Sequence, residues 1–197
     1  RPRTARILFF NELNNMQHIQ KPSAKVIVIT GAGRGIGAAL AVAAASEGHY
    51  VAVNYRSQSA EADQLVSRLN GGIGIRADVS LAEDAPRLIN ETLAHFGRID
   101  CVINNAGIVL GPPGWPDVSA ERLLAVVSTD LGGVFIVLRT ALDAFARRGG
   151  GVVVNTSSQA ALAPLPDDPA YGATKAGVVY LTRACAKLAE THNVRVR

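Results

Sequence analysis

The sequence predicts an α/β domain on a doubly wound parallel sheet, and three observations lead there. Short, almost continuously apolar runs alternate with longer amphipathic stretches along most of the chain. Glycines fall where helices should end, and the first apolar run opens into a glycine-rich turn. The 197 residues are 48% hydrophobic, enough to bury the core of one domain. Only 18% are charged, and 19 glycines against 9 prolines fall short of low-complexity bias, so collagen-like, coiled-coil and disordered classes are excluded.

In order, residues 26–30 read as a buried strand, 31–37 as the glycine-rich turn and 38–47 as an Ala-rich helix closed by Gly48. Residues 50–55 form the second strand and 60–69 a helix. A third strand fits 73–77, with a helix over 81–96 ended by Gly97, and 101–104 is the fourth. The span 107–115 holds two prolines and three glycines and must be a loop. A long helical region over 118–148 is interrupted near Gly132-Gly133. It precedes a fifth strand at 152–156, a loop at 164–169, a helix at 170–190 and a short sixth strand at 194–196. Right-handed crossovers between such strands make the sheet Rossmann-type.

The formal charge of +4 does not describe a basic face. Arg1, Arg3, Arg6, Lys21 and Lys25 oppose only Glu12 in the first 25 residues, and basic and acidic residues balance in the rest. A nucleic-acid partner is therefore not expected. Residues 1–24 read as a tail outside the domain at 25–197, its first 15 residues as non-native or upstream sequence, with an Arg-rich transit peptide as the alternative. Cys101 and Cys185 sit in apolar runs and read as buried free thiols. No continuous apolar run reaches the ~18–20 residues that span a bilayer, so no membrane partner and a reducing, cytoplasmic setting are expected. His18, His49, His95 and His192 form no cluster, and no metal site is expected.

Chemistry concentrates in four places. Thr30-Gly-Ala-Gly-Arg-Gly-Ile-Gly37 lies between a strand and a helix, where glycines let the backbone approach a pyrophosphate and the helix N-terminus offers free N–H groups. Asn104-Asn-Ala-Gly107 closes the fourth strand. Ser158 follows the fifth, at the carboxyl edge where doubly wound sheets bind ligands. Tyr171 and Lys175 lie four apart, on one helix face. A free phenol titrates near 10, and a neighbouring ammonium favours its ionised form, as general acid–base work near neutrality needs.

Gly31, Gly35 and Gly37 in Thr-Gly-x-x-x-Gly-x-Gly, the Asn-Asn-Ala-Gly motif, Ser158 thirteen residues before Tyr171, and Tyr-x-x-x-Lys together resemble the classical short-chain dehydrogenases/reductases, in particular those like 3-oxoacyl-acyl-carrier-protein reductases. The likeness covers about residues 25–197. It implies an oxidoreductase moving hydride between a nicotinamide and a ketone or secondary alcohol. Ser158 would bind the substrate oxygen, Tyr171 would exchange its proton, and Lys175 would hold the nicotinamide ribose. The cofactor would lie on Gly31, Arg34, Gly35, Ile36, Gly37, Tyr55, Arg56, Ser57, Asp78, Val79, Asn105, Ala106 and Gly107, besides Tyr171 and Lys175. Where the family's NAD-selecting Asp stands, this chain has Tyr55 followed by Arg56 and Ser57. With Arg34, that favours a 2′-phosphate and hence NADP(H). Asp78 reads as the adenine-contacting acid or as an N-cap of the following helix. Many relatives pair the helices of 120–148 and 170–190 into homodimers or homotetramers.

Two departures stand out. The family's fourth catalytic residue, Asn, is Asp130 here; an ionised carboxylate would hold Lys175 as a cation and oppose the Tyr171 phenolate, lowering activity or shifting its pH optimum. The chain also stops at Val194-Arg-Val-Arg197, where the family continues through a substrate-covering helix and a last strand, so a fragment or a truncated relative is expected. That leaves a catalytically weak nucleotide-binding module as the alternative function. Epimerase or dehydratase chemistry fits less well, because those relatives space their glycines differently. Trp115 reads as loop packing or as a wall of the substrate site.

Overall fold

The computed structural model describes residues 23–57, 59–109, 111 and 117–197. The expectations for the tail up to residue 22 and for Trp115 lie outside these residues. Six strands form one sheet: β1 Val26–Ile29, β2 Tyr50–Tyr55, β3 Ile73–Arg76, β4 Cys101–Asn104, β5 Gly151–Asn155 and β6 Val194–Val196. Their spatial order is β3-β2-β1-β4-β5-β6, with every neighbour parallel. Among the described residues six α-helices connect them: α1 Gly35–Ser46, α2 Ser59–Val66, α3 Asp84–Phe96, α4 Ala120–Val127, α5 Val134–Arg148 and α6 Pro169–Ala189.

The β-branched strands bury both faces, which explains why they read as continuous apolar runs rather than alternating ones. In β1, Val28 faces one core with Val102, Val153, Leu88, Val137 and Phe145, from strands β4 and β5 and helices α3 and α5. Its neighbour Ile29 faces the other core with Val51, Val53, Ala41 and Leu65, from β2, α1 and α2. Strand order reverses between β1 and β4, so their carboxyl ends diverge and open a crevice there.

Element boundaries shift from expectation for local reasons. Helix α3 starts at Asp84 because residues 78–81 are spent on a turn, with Leu81 N–H donating to Asp78 O. It ends at Gly97 with φ +71°, as Gly48 follows α1 with φ +86°. Helix α2 stops at Val66, where tighter turns take over: Arg68 N–H bonds Leu65 O and Leu69 N–H bonds Val66 O. The interruption expected near Gly132-Gly133 is a π-helical turn over Ser128–Gly133 between α4 and α5. A side chain at Gly133 would stand 2.9 Å from Val79 Cγ2, so the turn seats closely on the segment after β3.

The membrane reading needs one correction. The helical run Ala120–Arg148 is long and apolar enough to cross a bilayer by length and mean hydropathy, 1.7. Arg122, Asp130, Arg139 and Asp143 break the continuous apolar run sought in the sequence, but not the averaged hydropathy. Val126, Val134, Val137, Leu138, Ala141 and Phe145 of this run are buried, and four of them, Val137, Leu138, Ala141 and Phe145, lie in the core against the sheet. The thiols also differ slightly from expectation. Cys101 and Cys185 are free but half-buried, and burial, helped by Asp100, pushes the Cys101 thiol up to about 11.

Candidate active site

The crevice begins at the turn after β1. Gly31 has φ +62°, and an added Cβ there would lie 2.8 Å from Ala106 Cα, so only glycine lets the two strand ends approach. Thr30 Oγ1 accepts from the N–H groups of Asn105 (2.9 Å) and Ala106 (3.0 Å), while Asn105 Nδ2 donates to Thr30 O at 3.0 Å. These bonds clamp the β1 turn to the end of β4. At Gly37 a Cβ would sit 2.6 Å from both Asn105 Nδ2 and Gly31 O. Helix α1 therefore starts almost in contact with the turn, aiming its first N–H groups at the crevice with no acidic residue in its first turn.

A cleft of about 310 Å³ follows this edge. It is lined by Gly31, Arg34, Gly35 and Ile36 from the turn, Tyr55, Arg56 and Ser57 after β2, Asp78 and Val79 after β3, and Asn105, Ala106 and Gly107 after β4. Gly37, expected among these, is buried behind the lining and contributes close packing instead. Gly33, Asn54, Ala77, Ile108 and Thr129 also line the cleft, although the sequence reading did not single them out. Asn54 had a signal: a polar residue inside the apolar run Tyr50–Tyr55. It is buried, accepts from Gly31 N–H at 3.1 Å and donates to Ala77 O at 2.9 Å, tying three strand ends together.

Asp78 does not cap α3, whose N-cap is Glu83. Its Oδ1 accepts from Ser80 N–H and Ser80 Oγ, and its Oδ2 lies 4.0 Å from the guanidinium of Arg56, which is 59% exposed. Arg34 is also exposed, so both cations stand on the rim with solvent-facing heads.

The candidate reacting side chains follow β5 and lie on α6. Asp168 caps α6, its carboxylate accepting from Tyr171 N–H at 3.0 Å, and Pro169 occupies the first turn. One turn further in, Lys175 is buried and its Nζ donates to Thr156 O at 3.3 Å. Ser157 Oγ donates to Lys175 O at 3.0 Å, so the segment carrying Ser158 is fastened to the turn of α6 that carries the lysine. Ser158 Oγ accepts from Ala160 N–H at 3.2 Å, which leaves its own proton free to donate. The Lys175 ammonium lies 5.4 Å from the centroid of the Tyr171 ring. A Cβ at Gly107, a cleft residue, would be 3.4 Å from Lys175 Nζ, so the lysine borders the cleft.

Helix α6 has a second anchor. Asn104 Nδ2 donates to Asn155 Oδ1 at 2.8 Å, and Asn155 Nδ2 donates to Thr182 Oγ1 at 2.9 Å, joining β4, β5 and α6.

Asp130 lies in the π-helical turn and is fully buried. Its Oδ1 accepts from Ile108 N–H at 2.7 Å, and its Oδ2 lies 3.2 Å from Lys175 Nζ. That contact is an ion pair without good hydrogen-bond alignment, so Oδ2 keeps unspent acceptor capacity. Burial pushes the Asp130 carboxyl above the usual carboxylate range, against the pull of Ile108 N–H and Lys175; Asp168 adds to the upward push.

The donor set fits a dinucleotide cofactor: a glycine cradle that a side chain would fill, a helix N-terminus free of acids, and two rim cations. Comparison with known proteins agrees. A family profile described as short chain dehydrogenase matches residues 25–197. The chain is 36% identical over 178 residues to a 3-oxoacyl-(acyl-carrier-protein) reductase of Synechocystis sp., covering 88% of this chain and 72% of that protein. It is 37% identical over 177 residues to 3beta-hydroxysteroid dehydrogenase 1 of Eggerthella lenta, covering 87% and 67%. Among solved structures, an NADPH-dependent 3-quinuclidinone reductase from Rhodotorula rubra superposes with a TM-score of 0.78 at 32% identity, covering 87% of this chain and 66% of that one. A short chain dehydrogenase from Mycobacterium smegmatis gives a TM-score of 0.81 at 33% identity, covering 88% and 74%. Family profile, sequence relatives and superposed structures agree, and the chain belongs to the short chain dehydrogenase family.

Proposed function

We propose that the protein is an NADP(H)-dependent oxidoreductase that moves hydride between the nicotinamide and a ketone or secondary alcohol. The observation that carries this reading is the Lys175 ammonium, which borders the cleft at Gly107 and lies 5.4 Å from the Tyr171 ring. When bound, the cofactor supplies or accepts the hydride. Gly31, Gly35, Ile36 and the start of α1 would hold its pyrophosphate, and Asp78 and Val79 its adenine. Asn105, Ala106 and Gly107 would lie along its nicotinamide half. Arg34 and Arg56, with no acid at Tyr55, support a 2′-phosphate rather than a free hydroxyl.

In reduction, Ser158 donates a hydrogen bond to the substrate carbonyl oxygen and orients it. The Tyr171 hydroxyl then gives that oxygen its proton as the carbonyl carbon gains hydride. Lys175 would hold the ribose hydroxyls; oxidation of an alcohol would run the same steps backwards. Exposed Leu124 on α4 and Tyr180 and Leu188 on α6 support pairing of two copies through these helices. Replacing Tyr171 with Phe tests the reading. The variant should bind NADPH normally by nicotinamide fluorescence but lose about 10²–10⁴-fold in carbonyl reduction. A Tyr171→Phe protein that turns over like the parent refutes it.

A further inference from the structure

The one sealed charge cluster of the site has an unusual balance. Lys175 and Asp130 are 3% and 0% exposed, and Asp130 Oδ2 lies 3.2 Å from the ammonium. The groups facing the carboxyl are Ile108 N–H from the loop after β4, and Lys175 and Asp168 from α6. The lysine is further held by Thr156 O from the end of β5. Gly107 closes the remaining side, since a Cβ there would stand 2.8 Å from Asp130 Oδ2.

A buried amine and carboxyl sharing one proton carry no net charge, whether the proton sits on nitrogen or oxygen. Only with both groups protonated is the pair cationic, and low-dielectric surroundings disfavour that state above the acid range. The phenol ring over this pair therefore faces a neutral unit, and Asp168 adds negative potential nearby. A tyrosine beside a neutralised ammonium gives up its proton less readily than one beside a bare ammonium.

We infer that Asp130 is a positioning residue that cancels the Lys175 charge, so that Tyr171 serves as proton donor to a carbonyl across neutral and alkaline pH. Removal of a proton from an alcohol is then confined to high pH, and the substrate class is a ketone, reduced at the carbonyl carbon. The inference rests on the oxidoreductase reading but concerns the direction in which the site is poised. The step balances: hydride from the reduced nicotinamide enters the carbonyl carbon, the Tyr171 proton enters the oxygen, and solvent reprotonates the phenolate after release.

The test titrates the phenol itself. Ultraviolet difference titration of the parent minus its Tyr171→Phe counterpart isolates Tyr171 from Tyr50, Tyr55 and Tyr180. The same subtraction is made for Asp130→Asn and, in case that variant folds poorly, for Asp130→Ser. Tyr171 should ionise at lower pH in either Asp130 variant, because the ammonium, still donating to Thr156 O, loses its counter-charge. The alkaline limb of NADPH-driven ketone reduction should move down by the same amount, and alcohol oxidation near neutrality should rise. Coincident phenol titrations in parent and variants overturn the inference. A shifted titration in a protein that reduces no carbonyl overturns the ketone assignment together with the proposed function, and leaves only the charge cancellation by Asp130 standing.

Discussion

Removing both rim guanidiniums, Arg34→Ala with Arg56→Ala, separates the two nicotinamide cofactors most directly. In the structure, Arg34 is exposed at the head of α1 and Arg56 is 59% exposed after β2, both lining the cleft. A charge-assisted hydrogen bond contributes about 1.5–3 kcal/mol, and solvent around these heads argues for the lower end. Arg56 also shares its charge with Asp78 at 4.0 Å, which takes part of its attraction for a second anion. Two contacts at about 1–1.5 kcal/mol each amount to a loss of roughly 30–150-fold in NADPH affinity. NADH has no phosphate at that position and should bind almost unchanged. The assay is fluorescence titration with each cofactor at fixed ionic strength, repeated at higher salt, where the parent's advantage for NADPH should shrink. Equal weakening of both cofactors would show that the two arginines support the turn rather than a phosphate.

Other expectations follow from single contacts. Gly37→Ala should cost about 1–3 kcal/mol by overpacking against Asn105 and Gly31. That lowers the melting temperature by roughly 2–12 °C; an unchanged melt would contradict the close docking of α1. Asp100 accepts from Arg98, Arg148 and Val26 N–H, and these outweigh its burial and hold its carboxyl down at about 2. Because this is below the ordinary value of about 3.9, its stabilisation is full above that pH and disappears as pH falls through about 2. Asp100→Asn should thus be less stable than the parent at pH 7 in urea unfolding, with the gap closing in acid; a gap independent of pH would refute it. Ser158→Ala should lower the catalytic constant for carbonyl reduction by about 10²-fold while NADPH binding, measured by titration, stays unchanged.

The six strands were legible because each announces itself twice, as a β-branched run and by the glycine or polar turn that follows. Gly97 and Gly48 marked helix ends for the same reason: a left-handed residue is chemically visible in sequence. The start of α3 was not legible, since nothing local distinguishes residues 81–83 from helix; the turn around Asp78 and Ser80 decides it. The cleft could be read where a motif fixes the backbone, as at Gly31, Asn105 and Gly107. It could not be read where a residue lines the wall through tertiary placement alone, as Thr129 and Ile108 do. Gly37 shows the reverse case, a motif residue whose job is the fit between helix and turn. The departure at Asp130 was visible in the sequence, but its burial and its grip on Ile108 N–H were not, because both depend on the π-helical turn.

The amide-to-amide-to-hydroxyl seam from Asn104 through Asn155 to Thr182 has a consequence for how this scaffold tolerates change. Each amide satisfies the next at half-buried positions, so loss of Asn155 leaves the buried Asn104 Nδ2 without this mate. Helix α6 is thereby indexed along its own axis, like a key held by one notch, and drift at these three positions must be concerted.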